Sequence, residues 1–195
     1  MKIRIYAEGG GVNKTTLMAF RRGFANLLEK LLLNNRPCVI ACGSRDQAYK
    51  DFCTYLKKPA PDTMAILLVD SEGPVNPGHS CWQHLLIRDQ WVKPVGVTDD
   101  QCHLMVQFME SWFMAQPEIL QEFYGQHFQS SALPRNQNIE AIPKDDILEK
   151  LDHATRQCPK GKYHKTRHGF AILALLDPNE IGARSQYAKR FFDFL

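Results

Sequence analysis

The amino-acid sequence predicts an α/β fold, a mainly parallel sheet flanked by helices, with a mainly helical C-terminal extension. Two observations in the N-terminal 72 residues and a third in their order predict it. Short apolar runs alternate with stretches whose apolar residues recur every three or four positions. The run Thr63 to Val69 is apolar almost throughout, as expected of a strand buried on both faces. The order is strand-helix-strand-helix-strand, which joins neighbouring strands in parallel through right-handed crossovers.

The elements follow in turn. Lys2 to Ala7, with Ile3, Ile5 and Tyr6, reads as a first strand ended by Glu8-Gly9-Gly10-Gly11. From Lys14 to Leu33, the residues Leu17, Phe20, Phe24, Leu27, Leu28 and Leu31 make the apolar stripe of an amphipathic helix. Pro37 to Cys42 is a second strand closed by Gly43, and Ser44 caps the helix carrying Tyr49, Phe52, Cys53 and Leu56. After the third strand, Gly73 to Gly78 is a loop, Ser80 to Arg88 a short helix and Trp91 to Thr98 a connection. Cys102 to Phe108 reads as a fourth strand running into one helix through Glu110, Trp112 and Leu120. Gln126 to Pro143 is polar and turn-rich, and helices follow over Lys144–Thr155 and Phe170–Leu176. Asp177-Pro178 starts another helix, and Ser185 caps a last one. We expect a single domain over 1–195, with a core of about 1–125 and an extension of about 126–195.

Composition bounds the function. A net charge of +3 permits nucleic-acid binding without arguing for it. The chain opens on a strand rather than a basic, then apolar, leader, and its longest clean apolar run, Ala65 to Val69, cannot span a bilayer. The six cysteines show no CxxC spacing, which favours reduced thiols over a disulfide framework or a zinc site. The expectation is a cytoplasmic protein with no membrane partner.

In a parallel α/β sheet, chemistry collects at the carboxyl ends of the strands. The first strand ends in Glu8 and the third in Asp70-Ser71-Glu72. Residues two apart in an extended segment share a face, so Asp70 and Glu72 converge if the extension persists. Glu8 joins them if the two strands are neighbours. Three such carboxylates repel one another, and Mg²⁺, which takes oxygen ligands, relieves that cost; Mn²⁺ is the alternative. Such an ion orients and polarises a phosphate. The bland alternative for each acid is a solvated cap.

A Glu-Gly-Gly-Gly after the first strand and an apolar strand ending Asp-Ser-Glu resemble the Toprim domain of topoisomerases, primases and overcoming-lysogenization-defect-type nucleases. The whole chain further resembles a small bacterial Toprim-like family of unknown function. IYAEGGG (5–11), ACGSRDQAY (41–49), LLVDSEGP (67–74), DDQCHLMVQFMESWFMA (99–115) and HGFAILALLDP (168–178) carry the likeness. The resemblance implies a Rossmann-like, Toprim-like sheet and Mg²⁺-dependent phosphodiester chemistry. Glu8 would be acid/base or metal ligand, Asp70 and Glu72 ligands, and Glu110 part of a second metal position. A helix-start acid is the other reading of Glu110. A separate ATPase partner in a bacterial defence system is implied by the resemblance alone. Glu72 stands where the pattern has Asp, which keeps an inactive Toprim-like binding module as the alternative.

Two further motifs bear on function. Gly9 to Thr16, GGGVNKTT, imitates a phosphate-binding P-loop, with Asn13 where that loop has glycine; this is the NTPase alternative. Lys160 to His168, KGKYHKTRH, sets Lys160, Lys162, Lys165, Arg167 and His168 around Tyr163. With Arg45 after the second strand, these are the candidate nucleic-acid-binding residues, and Tyr163 the candidate base-stacking ring. A solvated loop is the competing reading. His103, in an apolar run, is expected to be a core histidine.

Overall fold

The computed structural model describes residues 1–195. Strands β1 (Lys2–Ala7), β2 (Cys38–Ala41), β3 (Thr63–Asp70) and β4 (Cys102–Met105) form one sheet in the order β2-β1-β3-β4. Every neighbouring pair is parallel. The central pair, β1 and β3, is in register from Lys2 opposite Thr63 to Ala7 opposite Leu68. That register brings the residues after Ala7 and Leu68 to one end of the sheet.

Helix boundaries follow local chemistry. α1 (Lys14–Glu29) starts where the Asn13 side chain accepts the Thr16 amide. α2 (Arg45–Leu56) is capped by Ser44, and α3 (Cys81–Asp89) by Ser80 and Gln83 in a reciprocal capping box. The single helix expected after β4 is instead two elements. A 3-10 stretch spans Met109–Ala115, and α4 (Pro117–Tyr124) starts afresh beyond Gln116. Pro117 explains the break, because a residue without an amide proton fits only the first turn of a helix. α1 is also shorter than its apolar stripe, and the chain turns at Leu32 with φ +53°. α5 (Lys144–Thr155), α6 (Phe170–Leu175), α7 (Pro178–Arg184) and α8 (Gln186–Phe194) complete the extension, with a π-turn over Lys165–Gly169 leading into α6. No helix is long and apolar enough to cross a membrane.

β3 is apolar from Met64 to Val69 because both its faces are covered. Ile66 and Leu68 join Ile5 and Ala7 in a core with Phe20, Phe24 and Leu27 of α1 and with Trp112, Phe170, Phe191 and Phe192. Ala65, Leu67 and Val69 join Tyr6 in a second core with Phe52 of α2, Trp82 and Leu85 of α3, and Trp91. The alternation of side chains along β3 thus feeds two cores at once. His103 is buried as expected, its ring between Phe191 and Phe194 and its Nε2 2.9 Å from the Asp100 carbonyl.

The extension contributes to the first core through α6, which lies directly on α1. A Cβ added at Gly23 of α1 would sit 2.6 Å from the carbonyl oxygen of Phe170, so only glycine permits this approach. Alanine is the better helix former by about 1 kcal/mol, so an unpacked Gly23 would gain from Gly23→Ala. The close contact reverses the sign. Gly23→Ala is expected to destabilise the protein by about 1–3 kcal/mol, read from the shift in denaturation midpoint, whereas a gain would show that α6 does not pack here.

Candidate metal centre

The parallel register places two strand ends side by side. Glu8 follows β1, and its amide donates to the Leu68 carbonyl at 2.9 Å. The loop beyond it is pinned to the loop after β2, because Gly9 and Gly43 exchange backbone hydrogen bonds at 3.0 and 2.9 Å. Gly9 has φ +129°, and a Cβ there would meet the Phe20 ring at 2.3 Å, so the position tolerates no side chain. On β3, Asp70 is the last strand residue. Ser71 and Glu72 are held to the end of β4 and the chain just beyond it, their amides donating to the carbonyls of Met105 (3.0 Å) and Gln107 (2.7 Å).

Glu8, Asp70 and Glu72 are brought together. One carboxylate oxygen from each lies within 4.8 Å of the others. The convergence does not come from continued extension, however. Glu72 has φ +61°, so the backbone turns at the third acid and its side chain reaches back. Octahedral Mg²⁺ at about 2.0–2.1 Å from each ligand separates adjacent oxygens by roughly 3 Å and opposite ones by roughly 4 Å. An all-oxygen set with this spread fits such an ion after small side-chain adjustments.

The cluster is also wired into the protein. Both the Asp70 amide (3.0 Å) and Arg45 Nη1 (3.3 Å) donate to Glu8 Oε2, leaving Oε1 uncommitted. The Met109 amide donates to Asp70 Oδ1 at 2.9 Å, and Lys165 Nζ stands 3.9 Å from Oδ2. Lys144 Nζ donates to Glu72 Oε2 at 2.5 Å. Burial, with Glu8 next, holds the Asp70 carboxyl well above the usual range, and Lys165 only partly offsets this. Burial likewise raises Glu8 despite Arg45 and the Asp70 amide.

Of the remaining predicted residues, Arg45, Glu110, Tyr163, Lys165 and His168 are engaged by other groups of the chain, whereas Lys160, Lys162 and Arg167 are exposed. Arg45 is not presented to a phosphate. Its guanidinium donates to Glu8 and to the Asp70 carbonyl, grips both oxygens of Asp89 (3.0 and 2.6 Å), and lies over the Trp91 ring. Glu110 is fully buried and lies outside the three-carboxylate group; its oxygens accept from Tyr163 Oη (2.8 Å) and Lys165 Nζ (3.3 Å). Tyr163 is thereby a partner for an acid rather than an open stacking platform. Lys165 points into the carboxylates, drawn by Asp70 and Glu110, which raise its proton affinity against the effect of burial. His168 is 4% exposed and pairs through Nδ1 with the Tyr124 hydroxyl at 3.0 Å. Lys160, Lys162 and Arg167 are exposed; Lys160 sits over the Phe123 ring and Lys162 meets Asp152 at 3.2 Å. In the P-loop-like segment, the Gly9 amide is spent on Gly43 and the Asn13 side chain caps α1.

Three contributors escape a reading of the sequence. Asp89 ends α3 and fixes Arg45; burial alone would raise its pKa, but the paired guanidinium lowers it. Lys144 opens α5, where a basic residue works against the helix dipole, the one local hint that it serves something else. His84 of α3 holds the Ser71 carbonyl at 2.9 Å and left no signal in the sequence.

The family described as "Domain of unknown function (DUF4276)" matches residues 14–195, and the chain belongs to it. No curated protein and no solved structure matches the chain.

The electrostatics give a signed prediction. Asp70 has a folded pKa above its unfolded one, so the native state holds that proton more tightly, and stability falls as pH rises through the folded value. Asp70→Asn removes the charge while its Oδ1 still accepts the Met109 amide. In metal-free buffer at neutral pH it should therefore raise stability by about 1 kcal/mol, or roughly 2–4 °C in Tm. A lower Tm would show that Lys165 already compensates the charge.

Proposed function

We propose that this DUF4276 protein is a Mg²⁺-dependent, Toprim-like nuclease or phosphotransfer protein acting on nucleic acid, with Mn²⁺ as the alternative ion. The observation that carries the reading is the convergence of Glu8, Asp70 and Glu72 at the carboxyl ends of two adjacent parallel strands. An acid cluster that the fold gathers at this end, and whose central member is buried, matches what an oxygen-liganded cation requires.

Glu8, Asp70 and Glu72 would hold the ion. When bound, it supplies charge to orient and polarise a phosphate and to lower the pKa of a water. Glu8 Oε1, which has no protein partner, is the oxygen free to meet the ion or to act as acid/base. Arg45 and the Asp70 amide hold that side chain in place from Oε2. Lys165, at the rim of the cluster, carries the positive charge closest to where an anionic substrate would approach Asp70. Lys160, Lys162 and Arg167, exposed on the segment leading to or following it, extend that charge toward a nucleic-acid backbone. A separate ATPase partner within a bacterial defence system belongs to the proposal through the resemblance alone.

The second reading, a non-catalytic Toprim-like binding module, is favoured by a specific observation. Each carboxylate of the cluster already has a cation from the chain, Arg45 for Glu8, Lys165 for Asp70 and Lys144 for Glu72. The group can thus stand without a metal.

Calorimetry with Mg²⁺ and Mn²⁺, followed by cleavage assays on DNA and RNA, separates the readings. The enzyme predicts metal binding weakened at least about tenfold by Asp70→Asn, and metal-dependent cleavage lost in Glu8→Gln. Binding without turnover favours the module, and no metal binding even with nucleic acid present sinks the catalytic reading. For duplex DNA, Lys160→Ala with Arg167→Ala should flatten the salt dependence of binding by about 0.9 log units per lost phosphate contact.

A further inference from the structure

One buried acid beside the cluster has no part in holding an ion. Glu110, in the 3-10 stretch Met109–Ala115, is wholly buried yet lies outside the three-carboxylate group. Its Oε1 accepts from Tyr163 Oη at 2.8 Å, and its Oε2 from Lys165 Nζ at 3.3 Å. The same ammonium faces Asp70 Oδ2 at 3.9 Å. Lys165 thus stands between the most buried member of the cluster and a second buried acid.

Local structure holds the ammonium there. The Tyr163 amide donates to Thr155 Oγ1 at 2.7 Å, which ties the segment to the end of α5. A Cβ at Gly169 would lie 2.8 Å from Tyr163 Oη, so only glycine leaves room for the hydroxyl that meets Glu110. Lys165 opens the π-turn, which the His168 amide closes on the His164 carbonyl at 2.9 Å. A buried carboxylate needs a cation, but a lysine that served Glu110 alone would have no reason to reach Asp70. Arg45 also spans two acids, yet its donors are spent on Glu8, the Asp70 carbonyl and Asp89, and only 12% of its side chain is exposed. Lys165 is 45% exposed and has three N–H donors for two acids, so one donor is free to face outward.

Centres that use two ions for displacement at phosphorus set them about 3.5–4 Å apart, one toward the attacking and one toward the leaving oxygen. Asp70 belongs to two groups of acids here. With Glu8 and Glu72 it makes a place that fits a divalent ion; with Glu110 it flanks a place where an ammonium already stands. We propose that Lys165 occupies the second cation position of this centre, an inference that rests on the metal-centre reading above, so that the protein takes one divalent ion and not two. Glu110 is then a positioning residue, the anchor of the ammonium, and not a ligand. The outward N–H of Lys165 is the donor for a phosphate oxygen of the nucleic acid, on the side of Asp70 away from the ion.

The test titrates Mn²⁺ into the metal-free full-length protein and counts free ion by its electron paramagnetic resonance signal. The wild type should bind one ion per chain. Lys165→Met leaves Asp70 and Glu110 without their shared cation and should bind two, with Lys165→Gln in its place if that variant fails to fold. Adding Glu110→Gln to Lys165→Met should return the count to one, which locates the extra ion between the two acids. Lys165→Arg keeps the charge and should stay at one, so a gain in Lys165→Met is not the result of a looser fold. Two ions in the wild type, or one in both neutral variants, overturns the proposal and leaves the metal centre standing. No ion in any of these proteins removes the centre and the proposal together.

Discussion

Arg45 is the side chain on which the site's geometry depends. Its position is set at the start of α2, directly after the β2 strand end, and its guanidinium spans three elements. One arm reaches Glu8 after β1 and the Asp70 carbonyl at the end of β3, the other is clamped by Asp89 at the end of α3, and Trp91 lies under the plane. Arginine suits this task because its planar fork keeps several donors fixed at once, where lysine offers a single charged point. With little of the side chain exposed, its charge is balanced by two carboxylates, Glu8 and Asp89, rather than by solvent. The arginine therefore orients Glu8 and ties the carboxylate end of the sheet to α3.

The C-terminal extension completes that site rather than merely covering the sheet. Lys144, Tyr163 and Lys165 all come from it, and they serve Glu72, Glu110 and Asp70. The same segment supplies α6, whose backbone rests on Gly23 of α1. The packing that seats α6 thus also seats the π-turn carrying Lys165, and the charge at the cluster is coupled to a helix contact on the same face of the sheet.

How much of this was legible in the sequence depends on the range of each interaction. Caps were readable because they are local: Ser44, Asp177 and Ser185 each accept an amide two or three residues on. The three acids were readable because strand ends in a parallel sheet have a known place. The inward turn of Tyr163 and Lys165 in the basic run at 160–168 was not, because a lysine that faces a phosphate and one that faces a buried carboxylate have the same local sequence. Their roles are decided by residues more than fifty positions away, Glu110 for Tyr163 and Lys165. The break before Pro117 was concealed by the apolar pattern around Trp112 and Leu120, because buried 3-10 and α segments are equally apolar.

Glu72 shows why the longer acid belongs at this position. In a strand that stayed extended, an aspartate two residues after Asp70 would point the same way and join the same carboxylate group. Here the chain turns at Glu72, with φ +61°, while the Ser71 and Glu72 amides donate to the carbonyls of Met105 and Gln107. The Gln107 side chain also accepts the first amide of α5 and donates to the Glu140 carbonyl, so the turn is held from the extension side as well. A carboxylate starting from a left-handed residue has farther to return, and the additional methylene of glutamate provides that length. The glutamate and the turn act together, and an aspartate placed here without straightening the backbone would draw the third oxygen away from the group.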